Sequence, residues 1–454
     1  MKCCIVALLL AVMPYAAADS LVKHTATYKV GPNPNAIAAG DLNGDGFPDI
    51  VTANTGAMND ARRERPANDE CWVLESSASL AYTALPPLKA DFAPYAVALA
   101  NVDTLKAPDI IIASFMAVHH KDISLFRTMG EQVYESSFYK VPDEGISYNR
   151  MKDSDNQAVF EKPGLTSVLV NDFNRDGFRD LIATAWCSDV LVYFPGVANT
   201  FFGEPRLIAA PGGPRDVRAA DLDSDGELDL AVALYASNDI GLWRGDGKGT
   251  FTAVSSFSSR GSLPSKLQIA DMNADGHLDI VVSHCYAEDS IVIFYGDSSF
   301  TFGTSQEILL GKERDVLEHE IRDVLVGDFD SDGRPDIAAA CYGSGQVSLL
   351  INGSSDKSIP QSFTRENYTY DNGKPRALCA ADFNQDGITD IGVALWNSDS
   401  VALLLGATKA KPEPKKEEPQ AKEAKSEKSK KDNKDSRDSK GSKSDLKKTG
   451  SDRR

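Results

Sequence analysis

The chain has 454 residues, with 48 Lys+Arg against 66 Asp+Glu and a formal net charge of −18. So acidic a chain argues against nucleic acid as a partner. Its seven cysteines are too few and too scattered for a disulfide scaffold.

Residues 1–18 begin Met-Lys-Cys-Cys, run apolar from Ile5 to Met13 and end in Ala16-Ala17-Ala18. A charged start, a short apolar run and small residues at a cleavage point read as a secretory signal peptide. No later stretch approaches the roughly 18 apolar residues of a spanning helix. The protein is expected to be secreted or periplasmic/extracellular, with no transmembrane segment. Cys71, Cys187, Cys285, Cys341 and Cys379 remain after the leader. They read mostly as small buried residues, with at most two bridges.

A spare strand, residues 24–30, precedes the first copy of a repeated nonamer, Asp41-Leu-Asn-Gly-Asp-Gly-Phe-Pro-Asp49. Folding side chains 1, 3 and 5 onto one point, with a sharp turn at a glycine, makes an oxygen cage for a hard divalent cation. The candidate ligands here are Asp41, Asn43, Asp45 and Asp49. Further copies offer Asp172, Asn174, Asp176 and Asp180, then Asp221, Asp223, Asp225 and Asp229, then Asp271, Asn273, Asp275 and Asp279. The last two offer Asp328, Asp330, Asp332 and Asp336, and Asp382, Asn384, Asp386 and Asp390. An EF-hand closes at position 12 and continues as a helix. Here the fourth copy has Val232 at that position, and an apolar strand follows, so the closing carboxylate would be the ninth. About six structural Ca²⁺ ions are expected.

A seventh copy, starting at Asn101, is damaged: Leu105 replaces an aspartate and Lys106 the glycine. It is expected to bind no calcium, with Lys106 filling the charge role. The seven copies start 60, 71, 49, 50, 57 and 54 residues apart. Each has a short strand before it (35–40, 217–220, 377–381), an apolar strand after it, a third strand and a Gly-rich turn to a fourth. Repeats of this length built of four short strands predict an all-β, seven-bladed propeller over residues 19–407. The last repeat runs out after three strands, so the spare strand at 24–30 is expected to complete its blade and close the ring. Two long polar insertions, 55–70 (with Arg62, Arg63 and Arg65) and 142–163, interrupt the pattern.

From residue 408 the composition changes to 17 Lys+Arg, 10 Asp+Glu and almost no apolar residues. Such a tail is expected to be disordered. Setting aside the tail and Lys2 leaves 30 basic and 56 acidic residues, a body of net charge −26. Self-repulsion within the loops should make metal binding a source of folding energy.

Six loops of the form D-x-[DN]-x-D-G-x-x-D, each followed by an apolar strand, resemble the FG-GAP/VCBS repeats of the integrin α-chain propeller and its relatives. The resemblance implies structural Ca²⁺ in the turn between the first and second strands, on a lower face, with the position 7 carbonyl completing each cage. It also implies that ligands are recruited on the opposite, upper face. Function does not follow, since such folds serve adhesion proteins, lectins and some polysaccharide-degrading enzymes.

Six residues before each loop stand Asn35, Tyr95, Thr166, Arg215, Ser265, Arg322 and Arg376. Three arginines in one column near the channel mouth, with Lys266 beside it, suit a carboxylate or sulfate. The competing reading has the neighbouring Asp216 and Asp323 pair with these arginines and tie the blades together. The loops from second to third strand carry His119, His120, Trp186, Tyr235, His284, Tyr286, Tyr342 and Trp396. Such aromatic and polar residues can hold a sugar ring, and the histidines can serve as acid–base groups. The preferred reading is a monomeric, non-catalytic binding or adhesion module for a glycan or an extracellular/surface protein. The alternatives are a polysaccharide lyase or hydrolase using that face, and a purely structural surface protein.

Overall fold

The computed structural model describes residues 21–406, apart from 57–67, 79, 118, 131, 147–162, 199, 286–288, 298–299 and 312–318. The signal peptide, the tail, Arg62, Arg63, Arg65, most of the 142–163 insertion and Tyr286 lie outside the described residues.

Each repeat forms an antiparallel sheet whose strands follow chain order. In the fourth blade these are Pro214–Ala220, Asp229–Leu234, Asp239–Gly245 and Phe251–Ser258. The second strands are the core of the molecule: Asp49–Asn54, Asp109–Ser114 and their five counterparts are buried at every residue. A strand with a neighbour on each edge and a blade against each face has no side to give to solvent. Continuous apolar sequence therefore replaces alternation. Outer strands are mostly exposed, as in Phe251–Ser258.

Adjacent blades stack through apolar clusters. Ala231, Ala233 and Leu242 of the fourth meet Ile280, Val292 and Phe294 of the fifth. The ring closes in the same way, with Phe383 and Leu403 of the seventh blade packed on Ile50 and Leu74 of the first. Fully burying side chains of this size contributes about 1.5–3 kcal/mol each. The spare strand, Leu21–Lys29, pairs antiparallel with Ser400–Gly406 as the fourth strand of the seventh blade. It begins three residues before the expected start and is clipped at Leu21: the Tyr368 hydroxyl accepts from Leu21 N and donates to Leu21 O, both at 3.2 Å.

The inner strands run longer than expected, Pro214–Ala220 where 217–220 was predicted. Five of the seven open on proline, which suits the first residue of a strand because no ladder N–H is needed there. Just after that residue every inner strand carries a register shift against its second strand, across Pro34/Ala36, Pro94/Ala96, Leu165/Ser167, Pro214/Asp216, Pro264/Lys266, Ile321/Asp323 and Pro375/Ala377. The extra residue of each bulge is therefore Asn35, Tyr95, Thr166, Arg215, Ser265, Arg322 or Arg376. A bulge leaves one residue outside the ladder and re-aims its side chain. Seven aligned bulges ring the upper end of the channel.

Candidate functional site

On the lower face the loops fold as compact hydrogen-bonded turns. In the fourth, Asp221 accepts from the N–H groups of Asp225 (3.0 Å) and Gly226 (2.9 Å), and Asp225 accepts from Glu227 N (2.8 Å). Ser224 (φ 60°) and Gly226 (φ 90°) both take left-handed conformations, which turns side chains 1, 3 and 5 inward. Carboxylate oxygens of Asp221, Asp223 and Asp225 lie within 4.8 Å of one another, as do those of Asp328, Asp330 and Asp332. Three oxygens at that spread fit around a cation bound at about 2.3–2.6 Å. In the other four loops the third residue is Asn, whose amide donates to the fifth carboxylate, as Asn43 does to Asp45 and Asn384 to Asp386. In the all-aspartate loops an arginine approaches instead: Arg244 pairs with Asp223 at 2.7 Å, and Arg334 with Asp332.

The ninth aspartate has a role that its loop position does not announce. Its carboxylate accepts one N–H from the second residue of its own loop and another from the end of the third strand. For Asp229 these are Leu222 N (3.0 Å) and Gly245 N (3.0 Å), and for Asp279 they are Met272 N (2.8 Å) and Gly296 N (2.9 Å). All seven blades repeat this bracket, and all seven carboxylates are fully buried. Burial makes them weaker acids, with pKa values pushed up to about 6 for Asp49, Asp109, Asp229 and Asp390 and to about 7 for Asp279 and Asp336. The two backbone donors oppose the rise.

Asp109 keeps the bracket in the damaged repeat, through Val102 N and Thr128 N at 2.9 Å each. The bracket therefore does not depend on a complete cage. The cation at this loop is Arg127, which pairs with Asp103 (3.1 Å) and Glu135 (3.3 Å) and lies 4.3 Å from the Phe201 ring centroid. Lys106, expected in that role, is exposed. Neither Thr104 nor Lys106 adopts the left-handed backbone of its counterparts, so the loop has lost its shape as well as its position 5 carboxylate.

At the upper mouth the bulge residues converge on a cavity of about 130 Å³ lined by Arg215, Arg218, Lys266, Arg322 and Arg376. The Tyr95 hydroxyl accepts from Arg215 Nη2 (2.6 Å) and Arg376 Nη2 (3.3 Å), and Arg376 Nε donates to Asn35 Oδ1 (2.9 Å). Arg322 pairs with Glu320 at 2.7 Å. Each arginine also sits over the aromatic 20 residues later in its own blade: Arg215 over Tyr235 (5.0 Å), Arg322 over Tyr342 (5.0 Å) and Arg376 over Trp396 (5.5 Å). Burial raises the Tyr95 phenol, yet the nearby charges of Arg215, Arg376 and Lys266 outweigh it and hold the phenol below its ordinary value.

Asp216 and Asp323 do tie blades together, but not by pairing with the column. Asp216 accepts from Leu267 N, Ser167 Oγ, Arg218 and Lys266. Asp323 accepts from Leu378 N and its neighbour Val324 N. Both carboxylates face backbone donors of the inner-strand ring, which the long bulge side chains overreach.

The FG-GAP-like repeat family matches four overlapping stretches, residues 172–232, 221–282, 271–339 and 328–393, and the FG-GAP repeat family matches 33–67. The chain belongs to the FG-GAP repeat proteins. No curated protein matches it in sequence. Among solved structures, this FG-GAP propeller is similar to a streptogramin B lyase (TM-score 0.54, 13% identity, 86% of this chain and 100% of that one). It is also similar to virginiamycin B lyase from Staphylococcus aureus (0.53, 12%, 84% and 99%) and to BBS1N in complex with ARL6DN (0.53, 11%, 86% and 97%). At such identities the likeness is one of fold alone.

The remaining candidates of the FG-GAP propeller fall in different places. His284 is a core residue and not a ligand group: it is fully buried, with its ring nitrogens 3.2 Å from Ser259 Oγ and 3.1 Å from Ser290 Oγ. It ends a second strand, where every position is enclosed. His119 is largely exposed and held by the buried Asp91 at 3.2 Å, while His120 is exposed beside it. Trp186 packs between Phe115 and Tyr235, and Trp396 lies under Arg376, so their rings are engaged by protein groups. Tyr95 stood in the sequence column without a role. The common 20-residue interval was the signal linking that column to the aromatics. Cys71, Cys187, Cys285, Cys341 and Cys379 are buried thiols outside any disulfide.

Proposed function

We propose that this FG-GAP propeller is a secreted, calcium-stabilised binding module that engages a glycan or a surface protein through its upper face, without catalysis. The observation that carries this reading is the convergence of three bulge arginines, each held against an aromatic ring, on one channel mouth. A fixed set of donors at the centre of a face built from all seven blades is suited to recognition. A lyase needs a base and a carboxylate neutraliser in one cleft, and His284 is sealed in the core.

On the lower face, side chains 1, 3 and 5 of the six intact loops would hold Ca²⁺, whose charge would offset the clustered carboxylates. The ninth aspartate, besides any share in the cage, joins the loop to the third strand. Calcium binding would thus stiffen the blades from the face opposite the ligand.

A glycan array tests the binding reading, and incubation with uronic-acid polymers, followed by the ultraviolet absorbance of unsaturated products, tests the absence of catalysis. Array binding without new absorbance is the expected result. Product formation would overturn it.

A further inference from the structure

We infer that the channel mouth is a receptor for a single oxyanion group, a carboxylate or a sulfate ester, with Arg215 and Arg376 as its donors and Tyr95 as the positioning residue that holds them converged. The inference rests on the upper-face reading and names the chemistry that face would recognise.

Three features point to an anion. First, the charge balance at the mouth is inverted relative to the acidic body: five cations and one carboxylate, Asp323, line the cavity. Asp323, the carboxylate in that lining, is 8% exposed and accepts from the backbone N–H groups of Leu378 and Val324, while the buried Asp216 holds Arg218 and Lys266, and Glu320 holds Arg322. Second, the donors converge. Arg215 and Arg376 come from different blades and both reach the Tyr95 oxygen, at 2.6 and 3.3 Å. Two guanidinium groups meeting on one oxygen already have the arrangement that a ligand oxygen would demand. Third, the donors are pre-organised. Each is an extra residue of a bulge and lies over an aromatic ring, which removes much of the rotamer entropy that binding would otherwise cost.

Size then selects the ligand. The cavity of about 130 Å³ is well below the roughly 300–1,000 Å³ of pockets that enclose a whole small molecule. It takes a charged group while the rest of the carrier stays outside. Each of the three rings has an arginine over one face and so orients a guanidinium plane.

The test uses the full chain with calcium, titrated with sodium sulfate or sodium acetate at fixed ionic strength, and reads both calorimetric affinity and melting temperature. Wild type should bind at least one of the two anions. The double variant Arg215→Gln/Arg376→Gln should bind at least tenfold more weakly. Arg179→Gln, an exposed lower-face change, should match wild type. Tyr95→Phe should weaken anion affinity several-fold. An unchanged affinity with a lower melting temperature would make Tyr95 merely structural and overturn its assigned role. Absence of any anion response in wild type, or an undiminished response in the double variant, would overturn the site. Sulfated and uronate-bearing polymers in separate arms then distinguish the two sources of the group. A neutral glycan that binds wild type and the double variant equally, with no anion response, would sink this inference and leave the binding reading standing. Anion binding with no ligand on the array would do the reverse.

Discussion

Arg215 Nη2 lies 2.6 Å from Tyr95 Oη, across 120 residues of sequence. The two residues belong to the fourth and second blades, so the bond spans the channel mouth past the third. It depends on the stacking of three consecutive blades, and it uses two residues that the ladder of their own strands leaves out. Tyr95 is 7% exposed.

Removing its hydroxyl should therefore be felt in stability. In Tyr95→Phe both arginines lose an acceptor in a nearly dry place, which costs about 1–3 kcal/mol. Urea denaturation should show that loss with an unchanged slope. A variant as stable as wild type would mean that the arginines are held by their aromatic partners alone.

Metal analysis should find six Ca²⁺ per chain, one for each intact loop in the sequence. Asp221→Ala/Asp225→Ala should give five. A chelator should lower the melting temperature and added calcium restore it, since each site filled at 100 times its Kd contributes about 2.7 kcal/mol. A melting curve indifferent to chelator would refute structural metal sites.

The damaged loop makes a sharper test of what a cage requires. Leu105→Asp alone should not create a seventh site, because Lys106 lacks the left-handed backbone that glycine provides in the intact loops. Asn101→Asp/Leu105→Asp/Lys106→Gly/Arg127→Gln should create one, readable as an additional bound calcium. A seventh ion with Leu105→Asp alone would show that backbone shape is not the limiting factor.

Asp109 sets the sign of a pH effect. Burial pushes its carboxyl up to about 6, from about 3.9 in an unfolded chain. The folded state therefore holds the proton more tightly. Its contribution to stability is fully present below about pH 4 and is lost as pH rises through about 6. In calcium-free buffer, Asp109→Asn should be less stable at low pH than wild type and lose less stability between pH 4 and 7. Because Asn presents an amide to one of the two backbone donors at Val102 and Thr128, the variant should also melt lower. An identical pH slope in the two proteins would refute the assignment.

Much of this architecture was legible before any coordinates. The repeat marks every first-to-second strand turn, and the spare strand at the start matches the missing strand at the end, as Leu21 opposite Gly406 shows. Local periodicity carries such information because loop geometry and strand burial are set within a few residues. Histidine at 284 looked like a surface group because its loop is polar on one side. The register places it as the last residue of a fully buried strand, opposite Pro264. Lys106 looked like the cation of the damaged loop because it is adjacent in sequence. Arg127, one strand away, reaches Asp103 instead.

By itself the sequence determined the number of blades and the alignment of three arginines in one column, because each is a pattern of period and composition, while the placement of the acidic loops on one face came from the resemblance to FG-GAP repeats. Only the tertiary structure decided what those residues meet. A bulge at the same point of every inner strand turns the column into the channel mouth, ring closure brings Arg376 to Asn35 and Tyr95, and the stacking of the second to fourth blades brings Arg215 to Tyr95. The ninth aspartate likewise became a bracket only when the third strand folded back and offered its N–H. Side-chain direction and partner choice depend on contacts between residues far apart in the chain, and no local pattern encodes them.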